Sequence, residues 1–426
     1  MKRTHFAVAV LAAFSCVATV AAPATAAPTD DPPLVPIRSA PYNLGGTIAG
    51  QFKDSTGASY DGSGTTIVDI DGAFDLTDSA LASQVIGEYC FGQLDAKFGS
   101  LCSGGETMTR SETYPGSGLP DQSFVRQEGA GGSGVSAPSN GASQTCSDDG
   151  GFCHAAHGTM TAGLLVGQPR QRVWRSVNET QPYSGVAPGA KLIAMKVGTG
   201  KTGPMFETNS ILNALLETEK LVKSPDTAEL KANPIVAVNI SNSGMYGNRD
   251  NWSSATTCTP GSPGAKIDAI AKRLLAYGVA VVISAGNEGL TEGSTPYTCG
   301  KSIVPSGATE IAHPTVPTAY SNVLDMGWRT LYAPVGYGEW APTANTMLTY
   351  YPGGASTAKG TSFSAPQVAA AFAVLADKAG SPRTVTDFNM RIDALQRSGA
   401  PITGERAEQT LGGRTISIPD ALNRLP

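Results

Sequence analysis

The stretch GTTIVDIDG at residues 64–72 joins a short apolar run to two aspartates and closes on a glycine. Residues 65–71 are predicted to form a β-strand buried on both faces, because short apolar runs rich in β-branched residues are typical of central strands in parallel sheets. The runs at 192–197, 235–240 and 279–284 have the same character. We therefore predict four buried strands of one sheet.

Helical patterns alternate with these apolar runs. Residues 210–222 and 265–277 carry apolar side chains at helical spacing, and Gly278 is placed to end the second helix. This alternation predicts an α/β fold with a mostly parallel central sheet flanked by helices and right-handed crossovers. Ligands bind such sheets outside the carboxyl ends of the strands, which is where Asp71 and Ser241 fall.

The composition indicates one large domain. The chain has 426 residues, of which 41% are apolar and 15% charged, with 50 glycines and 29 prolines. Its formal net charge is −5 and it has no Lys/Arg run, so we expect neither nucleic acid nor an anionic membrane as a partner. We expect one domain over residues 59–426, an extension at 27–58 that leads into it, and a Gly/Ser-rich insertion at about 103–150.

The first residues predict export. Lys2 and Arg3 precede an apolar run over 6–22, and the triplet ATA at 24–26 is a small-x-small cleavage site. The pattern predicts a signal peptide over residues 1–26 rather than a membrane anchor, because the apolar run is short and a cleavage site follows it. The mature chain is therefore expected to be secreted and extracellular.

Six cysteines follow the predicted cleavage site, and an even number in an exported chain favours three disulfides. Fifteen pairings are possible for six cysteines. Pairing of near neighbours gives the set Cys90–Cys102, Cys146–Cys153 and Cys258–Cys299. Zinc binding is the alternative, but only Cys153-His154 approaches the close spacing that a zinc site needs, so we predict no metal there.

The motif GTSFSAP at residues 360–366 stands at the start of an alanine-rich helix that is predicted to end near Gly380. The hydroxyl of Ser362 would lie at the positive end of the helix dipole, beside unpaired backbone N–H groups. That position suits both an attacking hydroxyl and a developing oxyanion. An ordinary N-cap is the alternative interpretation. The motif resembles the nucleophile signature of the subtilases, the subtilisin-like serine proteases, at each position that the signature fixes.

Three histidines remain after the predicted cleavage, His154, His157 and His313. His157 opens the motif HGTMTAG, which resembles the subtilase histidine motif, and its small residues predict a helix that packs closely on another backbone. Met160 stands where the family usually has a second histidine, and Thr161 replaces a small apolar residue. The resemblance implies that His157 is the catalytic base, with His154 as a surface residue or a contact in the substrate cleft.

Two further segments resemble the family. The run VVISAGNEG at 281–289 is by itself an ordinary strand end, but its resemblance to the oxyanion segment implies that the Asn287 amide donates to a tetrahedral intermediate. The run VNISNSG at 238–244 resembles the segment that pairs with substrate backbone and walls the S1 pocket, where the family usually has Ser-Leu-Gly-Gly. The residues implied in substrate binding are Ser241, Asn242, Ser243 and Gly244.

Two aspartates compete for the acidic position. In the family the catalytic aspartate ends a buried strand, and an ungapped count from Gly64 places Asp71 there, although Gly72 follows it instead of Thr or Ser. We therefore expect Asp71 to be the triad acid, and Asp69, which occupies a position that is normally apolar in the family, is the alternative. A paired-carboxylate glycosidase is another use of such acids, but it leaves the serine, histidine and asparagine motifs unexplained.

Asp71, His157 and Ser362 occur in the chain order of the subtilisin triad. The resemblance covers residues 36–425 and implies a three-layer subtilisin-like fold and a secreted serine endopeptidase that acts through an acyl-enzyme. A catalytically impaired binding protein on the same fold is the alternative, since about 45 residues separate Ala26 from Asp71 and they show no evident folding prodomain.

The resemblance also sets expectations for ligands and partners. Polypeptides are the expected substrates, with apolar or neutral P1 side chains, because the segments around S1 contain no basic residue to select acidic ones. Calcium is common in the family, but the sequence shows no complete set of oxygen ligands, so we expect no cofactor and leave calcium unassigned. We expect the chain to be a monomer.

Overall fold

The structure is a computed structural model. It describes residues 38–47, 49–76, 78–93, 109–110, 124–128, 156–174, 179–197, 208–244, 259–291, 295–298, 300–323, 329–337, 347–410 and 412–426.

The described strands and helices alternate along much of the chain. The strands are β1 (Arg38–Ser39), β2 (Phe52–Lys53), β3 (Ser59–Tyr60), β4 (Thr66–Asp71), β5 (Val85–Gln93), β6 (Thr109–Arg110), β7 (Phe124–Glu128), β8 (Arg170–Trp174), β9 (Glu179–Tyr183), β10 (Lys191–Lys196), β11 (Ile235–Ile240), β12 (Ala280–Ser284), β13 (Val304–Thr309), β14 (Leu331–Pro334), β15 (Met347–Tyr351), β16 (Gly354–Ala358) and β17 (Arg414–Thr415). The helices are α1 (Ala40–Asn43), α2 (Ser79–Ala82), α3 (Ala156–Val166), α4 (Thr208–Lys223), α5 (Ala228–Ala232), α6 (Pro263–Leu275), α7 (Ala365–Ala379), α8 (Val385–Ser398) and α9 (Ile418–Leu422).

The main sheet has the strand order β17-β14-β13-β12-β11-β4-β10-β5-β7-β6 among the described residues. Every pairing from β17 to β5 is parallel, and β7 and β6 add two antiparallel strands at one edge. The predicted α/β class with a mostly parallel central sheet is confirmed. The strand β4 lies between β10 and β11, so its carboxyl end is at the middle of the sheet.

The four predicted strands agree with β4, β10, β11 and β12 to within one residue at each end. The predicted helices correspond to α4 and α6, with small shifts at their ends. Helix α6 begins two residues earlier than predicted because Ser262 caps it, its side chain accepting from Ala265 N, with Pro263 at the first position. It ends before Gly278, which has a φ of +79°.

The sheet has a hydrophobic layer on each face. One layer packs against α3 and α7 and includes Ile67, while the other packs against α4 and α6 and includes Val68. Because successive side chains of a strand point to opposite faces, Asp69 and Asp71 lie on the same face as Ile67. The acidic end of β4 therefore points towards α3 and α7.

The Gly/Ser-rich stretch at about 103–150 is more than a surface insertion where it is described. Its strands β6 and β7 extend the main sheet, and β7 pairs with β5 from Tyr89↔Glu128 to Gln93↔Phe124. These strands were not predicted, because five residues and two residues give too little periodicity within a stretch rich in glycine and serine.

The described part of the 27–58 extension packs onto the same body. Strand β1 pairs in parallel with β15. The Nζ of Lys378, on α7, lies 3.0 Å from Asp54 Oδ2 and donates to the carbonyl oxygen of Leu422 on α9 at 3.0 Å. One lysine thus joins the hairpin of β2 and β3, α7 and α9. The predicted boundary at residue 59 stays a prediction.

None of the helices in the described ranges combines the length and apolarity that would let it cross a membrane.

Candidate active site

Asp71 is the last residue of β4, and its side chain is fully buried. His157 lies in the first turn of α3, where its Nδ1 is 2.8 Å from Oδ1 and 2.9 Å from Oδ2 of Asp71. The backbone N–H of Gly72 donates to the same carboxylate at 2.6 Å. Because an ionised carboxylate only accepts, Nδ1 carries the ring proton and Nε2 is left as the basic nitrogen.

The electrostatics of this pair favour a protonated imidazole. Burial lowers the pKa of His157, but the charge and hydrogen bond of Asp71 raise it more, and the net pKa is raised. The His157 side chain is still 23% exposed, whereas that of Asp71 is 0% exposed. The imidazole can therefore be reached from solvent while the carboxylate of Asp71 cannot.

Glycine lets α3 begin close to the end of β4. A Cβ at Gly158 would lie 2.4 Å from the carbonyl oxygen of Ala73, a contact that real side chains do not make. The expectation that the small residues of this motif allow close approach to another backbone is confirmed at this position.

Ser362 lies in the 3-10 turn Thr361–Phe363, directly before α7. Its hydroxyl donates to the carbonyl oxygen of Ser241 at 3.1 Å, and its own carbonyl accepts from Ser241 Oγ at 2.7 Å. The ring of Phe363 lies 5.5 Å from that of His157, which brings the turn beside the imidazole. The N-cap position of α7 is Ser364, so the interpretation of Ser362 as an ordinary N-cap is wrong.

Asn287 lies in the turn after β12, held by the residue that precedes the serine. Its Oδ1 accepts from the backbone N–H of Thr361 at 2.8 Å and from the Thr361 hydroxyl at 3.1 Å. The same hydroxyl accepts from the backbone N–H of Gly286 at 3.0 Å. Because the oxygen of an amide only accepts, Nδ2 is the atom of the Asn287 side chain that can donate.

Asp69 is fully buried in the same layer as Asp71. Its Oδ2 lies 2.9 Å from the hydroxyl of Thr161, and its Oδ1 accepts from Asn239 Nδ2 at 2.8 Å. Burial, followed by the charge of Asp71, raises the pKa of Asp69 well above its ordinary value, against the hydrogen bonds of Asn239 and Thr161. The structure therefore brings both candidate aspartates to one site but gives only Asp71 to the imidazole.

The predicted substrate segment directly follows β11. Asn242 Oδ1 accepts from the N–H of Gly244 at 2.6 Å, and Gly244 has a φ of +77° with Tyr297 packed behind it. The hydroxyl of Ser243 lies 3.1 Å from where a Cβ of Gly286 would be. The segment from Ser241 to Gly244 thus lies next to the turn that bears Asn287.

Sequence reasoning missed the side chains that hold this turn. Asn322 donates from Nδ2 to Ala285 O at 3.0 Å and to Glu288 Oε2 at 2.7 Å, while its Oδ1 accepts from the N–H of Glu288 and of Leu290. Arg406 donates to carbonyl oxygens of the adjoining loops, including Leu290 O and Ser321 O. Neither residue lies in a motif, so the sequence carried no signal for either.

Several predictions fall outside the described residues. His154 and five of the cysteines (Cys102, Cys146, Cys153, Cys258 and Cys299) lie there, as does the side chain of Cys90. The three disulfides stay predictions. Within the ranges that the structure covers, there is no group of three or more His, Cys, Asp or Glu residues arranged to hold a metal ion.

Comparison with solved structures supports the fold. A protease from Pseudoalteromonas arctica PAMC 21717 has a TM-score of 0.52 and 18% identity, over 85% of this chain and 90% of that chain. A lanthipeptide protease has a TM-score of 0.51 and 17% identity, over 84% of this chain and 86% of that chain. At these identities the likeness concerns the fold alone, and it confirms the subtilisin-like architecture.

Comparison of sequences identifies the family. Tripeptidyl-peptidase 2 of Drosophila melanogaster is 27% identical over 155 residues, which is 36% of this chain and only 9% of that longer protein. The Peptidase_S8 model of the subtilase family matches residues 134–397, which include His157, Asn287 and Ser362, while Asp71 lies before the matched range. Since the match spans more than half of the chain, this protein belongs to the subtilase family.

Proposed function

We propose that the protein is a secreted serine endopeptidase that cleaves polypeptides through an acyl-enzyme formed on Ser362. The observation that carries the proposal is the pairing of buried Asp71 with Nδ1 of His157, beside the turn that bears Ser362. Membership in the subtilase family supports the peptidase class. The sequence motifs supply the roles of the individual residues.

His157 acts as the base in this mechanism. The Ser362 hydroxyl turns from the Ser241 carbonyl towards Nε2 of His157, which takes its proton as the oxygen attacks the peptide carbonyl. Asp71 keeps Nδ1 protonated and stabilises the imidazolium that forms. The imidazolium then protonates the leaving amine, and water hydrolyses the acyl-enzyme by the same steps.

Asn287 stabilises the oxyanion in this mechanism. Two hydrogen bonds from Thr361, the residue before Ser362, hold its Oδ1 and so orient the amide group. A donor fixed before the reaction stabilises developing charge without reorganising. Backbone N–H groups at the start of α7 supply the other donors.

The substrate lies along the segment from Ser241 to Gly244. This segment directly follows β11, lies next to the turn that bears Asn287, and walls the S1 pocket together with residues 284–288. Neither segment contains a basic residue, so acidic P1 side chains are not selected. A peptide library should be cut after apolar or neutral residues, and cleavage mainly after Asp or Glu would refute this part of the proposal.

Export and oligomeric state rest on the sequence alone. The proposed signal peptide ends at Ala26, so the N-terminal residue of secreted material should be Ala27 unless further processing follows. The protein acts as a monomer. Material that stays inside the cell with residues 1–26 intact would contradict the location.

The decisive experiment targets the nucleophile. A serine-directed fluorophosphonate should label Ser362, and Ser362→Ala should abolish cleavage of a denatured protein while circular dichroism shows the fold retained. Asn287→Ala should lower kcat by about 10²–10³-fold with a much smaller effect on KM, because the oxyanion forms only during the reaction. A folded wild-type chain that is neither labelled nor active would favour the impaired binding protein, and unchanged cleavage by Ser362→Ala would refute the proposal.

A further inference from the structure

Strand β4 brings two carboxyl groups into one buried layer. Asp69 and Asp71 are both 0% exposed and lie on the same face of the strand. The hydroxyl of Thr161, on α3, lies 2.9 Å from Asp69 Oδ2 and 3.4 Å from Asp71 Oδ2. Asp69 and Thr161 each stand where the family motifs usually have an apolar residue, so these two departures from the family meet at one hydrogen bond.

The protons of this cluster can be counted. The Thr161 hydroxyl has one proton, yet it lies within reach of three acceptors, the two carboxyl groups and the carbonyl oxygen of Gly158 at 3.0 Å. If both carboxyl groups were ionised, the three acceptors would have to share this one proton. If Asp69 Oδ2 is protonated instead, it donates a hydrogen bond to Thr161 Oγ1. The threonine hydroxyl can then donate its own proton to another acceptor.

The donors around the two acids place this proton on Asp69. Asp71 accepts from the ring of His157 and from the backbone N–H of Gly72. Among the described residues, Asp69 accepts a hydrogen bond from the neutral amide of Asn239 and faces the Thr161 hydroxyl. Of the two carboxyl groups, Asp71 therefore has the donors that better stabilise a negative charge.

The neighbouring elements bring few charges to this face of β4. Among the described residues of these elements, the titratable groups near Asp69 are Asp71 on the same strand, His157 on α3, and Lys196, which lies opposite Asp71 in the register of β10. The neighbouring strand β11 contributes Asn239, Ser241 directly follows that strand, and the buried residues of α7 include no titratable group. Burial in these surroundings, and then the charge of Asp71, raise the pKa of Asp69 well above its ordinary value.

The other oxygen of Asp69 leads to the nucleophile turn. Asn239 Nδ2 donates to Asp69 Oδ1 at 2.8 Å and lies 2.9 Å from Ser241 Oγ. The Ser241 hydroxyl in turn donates to the carbonyl oxygen of Ser362 at 2.7 Å. Hydrogen bonds through Asn239 and Ser241 thus connect Asp69 to the backbone of Ser362.

We propose that Asp69 is a positioning residue: held as a neutral carboxylic acid, it fixes Asp71 through the Thr161 hydroxyl and steadies the nucleophile turn from its other oxygen. The inference rests on the proposed catalytic role of Asp71. The charge state of Asp69 can nevertheless be measured without turnover, so the two can fail separately.

The first test measures that charge state by infrared spectroscopy. Spectra of Ser362→Ala and of the double variant Ser362→Ala/Asp69→Asn are compared at neutral pH, so that no activity is involved. The difference should contain the C=O stretch of a protonated carboxylic acid, lost with Asp69. Loss of an ionised carboxylate band instead would overturn the proposal. If Ser362→Ala still cleaves protein while the acid band is present, the proposed function fails and the protonation of Asp69 stands.

The second test separates positioning from charge by kinetics. Asp69→Leu removes the donor and the acceptor and should lower kcat at least tenfold with little change in KM. Asp69→Asn keeps an N–H for Thr161 and an oxygen for Asn239, so it should recover most of that loss. It should also leave the acidic limb of kcat/KM in place. An ionised Asp69 would raise the pKa of His157, so its replacement would move that limb down by about one pH unit, which would overturn the proposal.

A matched pair of threonine variants controls for packing. Thr161→Val removes the bridging hydroxyl and should lower kcat and move the acidic limb. Thr349→Val removes a buried hydroxyl that donates at 3.1 Å to the carbonyl oxygen of Met160, next to Thr161 on the same helix, and not to either carboxyl group. It should change stability alone. Equal effects of the two variants on the pH profile would overturn the positioning role, and if Asp69→Leu fails to fold, this pair and the infrared difference still decide.

Discussion

The imidazole of His157 takes its tautomer from a carboxylate that solvent cannot reach. Nδ1 lies 2.8 Å from the fully buried carboxylate of Asp71, and because a carboxylate accepts, Nδ1 must be the donor. The neighbouring acid, two residues earlier on the same strand, contacts a hydroxyl and an amide instead. Two chemically identical side chains on one strand therefore have different consequences for the base.

Replacement of the two aspartates should separate their roles. Asp71→Asn places an amide donor against Nδ1 and favours the wrong tautomer, so kcat should fall by about 10⁴-fold. Asp69→Asn should lose far less. The measurement is kcat for both variants, each shown by circular dichroism to be folded. The opposite ranking would move the triad acid to Asp69.

The raised pKa of His157 sets the pH dependence of activity. The base works only when neutral, so kcat/KM should fall as the pH falls through the pKa of the folded enzyme. Burial lowers that pKa and Asp71 raises it by more, so the midpoint of the acidic limb should lie above the ordinary histidine value of about 6.5. A profile of kcat/KM measured from about pH 5 to about pH 9 would locate this midpoint. A midpoint below the ordinary value would contradict the pairing.

At the scale of elements, the start of α3 decides whether base and acid meet. The helix begins so close to the end of β4 that Gly158 has no room for a side chain, because its Cβ would lie 2.4 Å from Ala73 O. Phe363, in the turn before α7, packs on the imidazole from another direction. The geometry of the site thus depends on where β4 ends and on where α3 and α7 begin.

Adding one methyl group should test this packing. Gly158→Ala should destabilise the protein by roughly 1–3 kcal/mol, because the helix must move away from the strand end, and kcat should fall with it. Gly354→Ala, at a position with nothing within 4 Å and no positive φ, is the matched control. Urea unfolding and kcat of both variants are the measurements. Equal stability of the two variants would show that α3 can shift at no cost.

The elements were predictable to the extent that their signals were local. The strand that ends at Asp71 shows as a buried apolar run, and α6 has a periodic stripe and a serine cap. Strands β6 and β7 were hidden within a stretch rich in glycine and serine. The contacts of Asn322 with the turn that bears Asn287 could not be predicted, since they join loops 34 residues apart through folding of the whole sheet. Only the coordinates show that Thr161 lies between the two aspartates.

At the scale of the whole molecule, three covalent links are predicted to join the chain. Peptide mapping without reduction should find Cys90–Cys102, Cys146–Cys153 and Cys258–Cys299. The last closes the longest loop and should contribute the most to stability, on the order of 4 kcal/mol. Its removal should lower the denaturation midpoint more than removal of either of the others. Free thiols at these positions in secreted material would contradict both the pairing and the export.

The position of β4 in the sheet also governs when the enzyme can first cut. This early strand is inserted between β10 and β11, and the helix that follows Ser362 packs across β11 and β4 much later in the chain. Contacts between such distant segments form slowly, because a long loop must close before they reward it. A partly made chain holds the proposed acid and base but lacks the proposed nucleophile. Under the proposed function, the chain therefore cannot digest itself while it is being made, and proteolysis can begin only when folding is complete.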